Sequence, residues 1–140
     1  QLTLARYHHR TLQRPARGRV VFIGDSAHCT SPQLGQGANM ALLDAAALAI
    51  GLARTATVDD AIEAYCSARR YHVRLFQLLS HMFTPFYQGD SVALAFIRDQ
   101  IVSTLAKIPP APRFLASIVA GTLLNPLTSV GVAERDWKEG

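Results

Sequence analysis

Cysteine is scarce in this sequence. Cys29 and Cys66 are the only two in 140 residues, and they form neither a C-x-x-C pair nor any zinc-type spacing. That excludes a disulfide-dense secreted scaffold and a cysteine-built metal centre, and leaves two buried, reduced thiols as the main expectation, with a disulfide between them as the lesser alternative. Charge is thin as well, at 17% against 49% hydrophobic residues, which excludes a disordered chain. The net charge of +4 favours anionic ligands mildly. The basic residues are scattered, apart from a modest cluster at Arg6, Arg10, Arg14, Arg17 and Arg19. No basic face carries interleaved aromatics, so nucleic acid is not an expected partner. No signal peptide and no apolar run long enough to span a bilayer are read, which points to a cytoplasmic chain. Gln1 is not an initiator methionine, so a piece of a longer protein is expected.

Strands are scarce too. Residues 1–11 alternate only weakly, and 14–18 contain Pro15 and Gly18 and read as a turn. Residues 20–23 form the one continuous β-branched and aromatic run, of the kind buried on both faces of a parallel sheet. Such a strand needs strand neighbours that this chain lacks, so a substitute from residues near the N-terminus or from a second copy is expected.

Helices dominate the rest. Residues 35–54 are rich in alanine and leucine, with Asp44 almost the only polar interruption, and predict a helix buried nearly all round. Thr57 followed by Asp60 reads as a capping box. The helix it opens carries a stripe of Ile62, Tyr65, Arg69 (its stem only), His72, Phe76, Leu79 and Phe83, and Pro85 should end it. A third helix, capped by Asp90 or Ser91, buries Leu94, Ile97, Ile101 and Leu105, and is stopped by Pro109, Pro110 and Pro112. Residues 114–124 predict a short apolar helix, and 128–140 a frayed polar tail.

The chemistry concentrates where the strand ends. Gly24-Asp25-Ser26-Ala27-His28 closes the apolar run, and Pro32-Gln33-Leu34-Gly35-Gln36-Gly37-Ala38-Asn39 leads into the long helix. The carboxylate of Asp25, at the carboxyl end of a strand, can accept hydrogen bonds from sugar or ribityl hydroxyls. Gly35 and Gly37 allow close backbone approach, and the helix start supplies free N–H groups and a positive dipole end. A turn-forming or capping aspartate and a helix-start proline are the plainer readings of Asp25 and Pro32.

This order of residues resembles the second FAD-binding segment of the class A flavoprotein monooxygenases, the aromatic-ring hydroxylase family: Gly-Asp-x-x-His, then Pro-x-x-Gly-x-Gly-x-Asn, then an Asp, here Asp44. The resemblance is specific over residues 19–53. It implies a cofactor-binding set of Asp25, Pro32, Gly35, Gln36, Gly37, Ala38 and Asn39. Within that set, Pro32 lines the flavin ring, and the Ala38 and Asn39 amides stabilise negative charge on its pyrimidine. His28 and Asp44 take structural roles, Asp44 bonding back to the loop, and no catalytic side chain is implied. The implied fold is mostly α with one or two β-strands, a C-terminal fragment of an α/β, Rossmann-like FAD-binding monooxygenase. Residues 1–18 would be a partial substrate-domain segment or linker, 19–54 the second FAD-binding segment and 55–127 a helical region. The implied activity uses FAD, NAD(P)H and O2 to oxygenate a small organic substrate. The Gly-x-Gly-x-x-Gly that holds the ADP half of FAD in that family is absent. The partner would then be the N-terminal FAD-binding part of the same protein, and the isolated fragment should be inactive, hold FAD weakly, and associate as a homo-oligomer.

Two other readings stand beside this one. Gly24-Asp25-Ser26 and Gly37-Ala38-Asn39 also resemble the nucleophile and oxyanion blocks of GDSL-type serine esterases, although neither His72 nor His81 follows an Asp at the usual spacing. A non-catalytic helical module, with a partner or a peripheral membrane surface against residues 114–124, is the third.

Overall fold

A computed structural model describes residues 9–30, 34–88, 96, 99–100, 104, 108–119, 124 and 127–131. These residues are mostly helical, with three two-residue strands: β1 (Arg10–Thr11), β2 (Ala16–Arg17) and β3 (Val20–Val21). The helices are α1 (Asp25–His28), α2 (Gly37–Arg54), α3 (Val58–Gln88) and α4 (Ala111–Val119), followed by a 3-10 turn at Thr128–Val130. The expected third helix, with Asp90, Ser91, Leu94, Ile97, Ile101 and Leu105, lies almost entirely outside the described residues, as do Pro32 and residues 1–8.

The strand at 20–23 departs from expectation. Its neighbour is β2, paired antiparallel with Ala16 opposite Val21 and Arg17 opposite Val20. The predicted turn at 14–18 is therefore half strand, and the reversal falls on Gly18 and Arg19. Gly18 takes φ +55°, at the first turn position where two-residue hairpins accept glycine. Among the described residues a strand lies on one edge alone, and Val20 is 60% exposed with Phe22 and Ile23 also open. Burial on both faces requires neighbours and covering helices that these residues do not include. Arg10 and Thr11 bridge to Cys29 and His28, which brings β1 alongside the end of α1.

α2 and α3 form the body of the fold. Thr57 caps α3 as the sequence predicts: its Oγ1 accepts the Asp60 N–H at 3.1 Å and donates to Asp60 Oδ2 at 2.7 Å. Pro85 does not end α3, which runs to Gln88. A proline this close to the C-terminus removes one hydrogen bond from a final turn that has few left to lose. Pro110 and Pro112 sit at the opening of α4, where the first turn has no use for their missing N–H groups; the end of the preceding helix, which they were expected to stop, lies outside the described residues. Of the expected frayed tail, residues 128–130 form the 3-10 turn, whose Val130 carbonyl accepts a hydrogen bond from Arg54.

α2 is not buried all round. Met40, Asp44, Ala47 and Gly51, spaced by four, three and four, are its buried residues, whereas Leu42 is 69% exposed. Alanine and leucine content gives the capacity for burial; the number of covering elements decides how much of it is used. By length and composition alone α2, at 18 residues with mean hydropathy 1.2, would suffice to cross a bilayer, against the expectation of no such run. Its buried stripe is instead matched to α3. Gly51 permits the closest approach, because a Cβ there would lie 2.9 Å from the Ala61 carbonyl oxygen.

Two apolar clusters flank the helix pair. One joins Ala16, Ala47, Ile62, Tyr65 and Cys66; the other joins Met40, Val73, Phe76 and Ile118. Between them lie Asp44, Arg69 and His72, none more than 2% exposed.

Candidate functional site

The site begins at Gly24, where the chain leaves β3 and enters α1. Gly24 has φ +57° and ψ −141°, a conformation that side-chain-bearing residues avoid, and an added Cβ would sit 3.0 Å from Ala41 Cβ. Its N–H donates to Asp44 Oδ2 at 2.8 Å. His28 Nε2 lies 2.6 Å from the same oxygen. A carboxylate only accepts, so the Nε2 proton is on the histidine. Asp44 thus ties both ends of α1 to the middle of α2, which is the structural role expected for it and for His28.

Arg69 completes the network, and here the sequence reading falls short. Its guanidinium, not merely its stem, is buried. Nε donates to Asp44 Oδ1 at 2.6 Å, Nη1 to His72 Nδ1 at 2.7 Å and Nη2 to the Met40 carbonyl at 3.3 Å. Burial alone would push the Asp44 carboxyl up. The hydrogen bonds from His28, Arg69 and Gly24, together with the Arg69 charge, outweigh it and hold the carboxyl below its usual value. A depressed folded-state value contributes stability that is complete above the unfolded value of about 3.9 and is lost as the pH falls through the folded one. The melting temperature should therefore decline below about pH 4, and Asp44→Asn should lack that component of the decline. Parallel melting curves of the two proteins between pH 2 and pH 7 check this; identical acid profiles would count against it.

Asp25 is the first residue of α1, exposed, with Oδ1 3.9 Å from where a Cβ of Gly37 would stand. It shares a narrow crevice with Gln36, Gly37, Leu34, Met40 and Phe76. α2 starts at Gly37, and no side chain among the described residues caps it. Its first bond is the Met40 N–H to the Gln36 carbonyl at 2.8 Å, so the N–H groups of Gly37, Ala38 and Asn39 precede the helical ladder. Gly35, at φ +62°, turns the loop in open space, where an added Cβ would meet nothing within 4 Å. Asn39 Nδ2 donates to Gln36 Oε1 at 2.8 Å, bracing the loop against the helix. The structure thus brings Asp25, Gly35, Gln36, Gly37, Ala38 and Asn39 into one region around the start of α2, with Pro32 outside the described residues.

The esterase arrangement does not form among the described residues. Ser26 Oγ donates to the Ile23 carbonyl at 2.7 Å, and His28 is turned to Asp44, so no imidazole is bonded to Ser26 among the described residues. No group of three or more His, Cys, Asp or Glu residues among them could hold a metal ion.

Comparison with known proteins points the same way as the Gly-Asp segment. The family described as "FAD binding domain" matches residues 1–77. A 3-(3-hydroxy-phenyl)propionate/3-hydroxycinnamic acid hydroxylase of Burkholderia cenocepacia (strain HI2424) is 35% identical over 107 residues, covering 74% of this chain and 20% of the relative. The FAD-dependent monooxygenase ausM of Aspergillus calidoustus is 34% identical over 88 residues, 56% of this chain and 19% of the relative. The monooxygenase cfoF of Aspergillus candidus reaches 51% over 47 residues, 34% of this chain and 11% of the relative. The chain spans about a fifth of the length of the hydroxylases it matches. No solved structure gives a significant match. With more than half of its residues matched, the chain belongs to the FAD-binding domain family, in the company of FAD-dependent hydroxylases and monooxygenases.

Proposed function

We propose that this chain supplies the part of an FAD-dependent monooxygenase that holds the ribityl and isoalloxazine portion of the cofactor. The observation that carries the reading is the start of α2, which no side chain among the described residues caps, beside the Asp25 carboxylate. In this reading Asp25 would be the acceptor for ribityl hydroxyls, and the N–H groups that open α2 would be the donors for the flavin pyrimidine. The glycines at 35 and 37 leave room for an extended polar ligand to approach the backbone. The residues present fit FAD: Asp25 would hold the ribityl chain, Gly35 to Asn39 the ring, and Pro32 its face.

When bound, FAD would supply the redox chemistry, accepting hydride from NAD(P)H and handling O2. The chain's own part is to bind, orient and polarise. The α2 N-terminus would set partial positive charge near the ring, favouring the negative charge that develops when it is reduced. The Asp44 network keeps Gly24, and with it the entry to α1, in one position. The wider assembly would be a Rossmann-like α/β fold completed by strands beside β3, with this chain as its C-terminal portion. The substrate would be a small aromatic compound, by extension from the relatives' names.

Asp25→Ala in the full-length protein tests this. Loss of one charge-assisted hydrogen bond of about 1.5–3 kcal/mol should weaken FAD binding roughly ten- to a hundred-fold. Asp25 has no hydrogen-bond partner among the described residues, so the melting temperature of the FAD-free protein should barely move. Unaltered FAD affinity would sink the assignment.

A further inference from the structure

A second cavity, of about 360 Å³, opens between residues 11–15, the end of α1 and one flank of α3. It meets the crevice beside Asp25 only at His28, which lines both. Its size is at the lower end of the range for small-molecule sites.

Its lining is one-sided in charge. Arg14, Arg69, Arg70 and Arg74 contribute to the wall, and no aspartate or glutamate does. Arg14 is neutralised by an ion pair to Glu63, and Arg69 by Asp44. Arg70 and Arg74 have no ion pair or hydrogen bond among the described residues. Four residues apart on α3, they lie one above the other on the same helical face. Two like charges so placed repel each other until an anion sits between them. Beside them the wall is apolar, built from Leu12, Pro15 and Val73.

We propose that this cavity binds a small organic carboxylate. Its head would lie between the Arg70 and Arg74 guanidiniums, and an apolar body of on the order of ten heavy atoms would lie against Leu12, Pro15 and Val73. A guanidinium fork matches the two oxygens of a carboxylate. The apolar wall distinguishes such a ligand from inorganic phosphate, which would leave that surface uncovered and stay strongly hydrated. This assignment does not rest on the flavin reading.

The experiment is calorimetric titration of 4-phenylbutyrate, and separately of inorganic phosphate, into the full-length protein and its Arg70→Gln/Arg74→Gln variant at one fixed low salt concentration. Glutamine keeps the helix propensity at two exposed positions, and circular dichroism confirms that the variant is folded. The expected result is saturable one-site binding of 4-phenylbutyrate, at least tenfold weaker in the variant and at least tenfold tighter than phosphate. Three results would each overturn the proposal: no saturable binding; binding unchanged in the variant, which would place the ligand elsewhere; or phosphate binding as tightly as 4-phenylbutyrate, which would leave only an unselective cationic patch.

Discussion

Asp44→Ala is expected to destabilise the fold by about 3–5 kcal/mol, the usual consequence of removing one partner of a buried ion pair. The carboxylate accepts hydrogen bonds from Gly24, His28 and Arg69 and is fully buried. Alanine would leave a guanidinium that is 2% exposed without its counter-charge, and would leave two further donors without an acceptor. Urea denaturation measures the loss. A second substitution identifies its source. Asp44→Ala/Arg69→Met removes the orphaned cation and fills much of the same volume, so the double variant should be more stable than Asp44→Ala alone. Equal or lower stability of the double variant would show that the uncompensated charge is not what makes the single variant fail.

Gly24→Ala should have the next largest effect. The backbone at φ +57° and ψ −141° carries a penalty of about 1–3 kcal/mol for a residue with a side chain. The new methyl, 3.0 Å from Ala41 Cβ, adds an overpacking term of about 1–3 kcal/mol because it presses α1 away from α2. Gly18→Ala is the matched comparison. Its φ is +55°, but an added Cβ there meets nothing within 4 Å, so only the backbone component should be lost. Thermal melting of the two variants side by side gives the answer. Equal losses at the two positions would mean that the Ala41 contact contributes nothing.

The local signals in the sequence carried the start of α3 and its buried stripe well, but not where α3 ends. A capping box is a contact among neighbours, so Thr57 and Asp60 could be read without knowing the fold. The three- and four-residue spacing from Ile62 to Phe76 likewise places one face inward whatever covers it. What periodicity cannot give is the partner. Arg69 occupies an inward position, and the ordinary expectation for a long cation there is that its head escapes to water. Its head stays inside because Asp44, the only acid on α2, lies opposite. Those two facts together would have predicted the pair. The strand at 20–23 and the outer face of α2 were misjudged for the converse reason. Their composition records the surroundings such segments need, and the described residues supply only part of them. In the candidate site, the sequence marked Asp25 and the glycine loop. The bracing of Asn39 on Gln36 and the closeness of Asp25 to Gly37 depend on where α1 turns, which Gly24 sets and no pattern of residue types displays.

The polar layer between the two apolar clusters has a consequence for how the helices find each other. Oily faces made of alanine, leucine and isoleucine can slide past one another with little change in energy, and α2 offers such faces on several sides. Shifting α3 along α2 by one turn, about 5.4 Å, would carry the Arg69 guanidinium out of reach of Asp44 and leave Asp44 facing hydrocarbon. Each displaced charge would then be buried without a partner. The pair therefore works as a key in a slot. It admits a single axial alignment of the two longest helices, and in that alignment the start of α2 comes to rest beside Asp25.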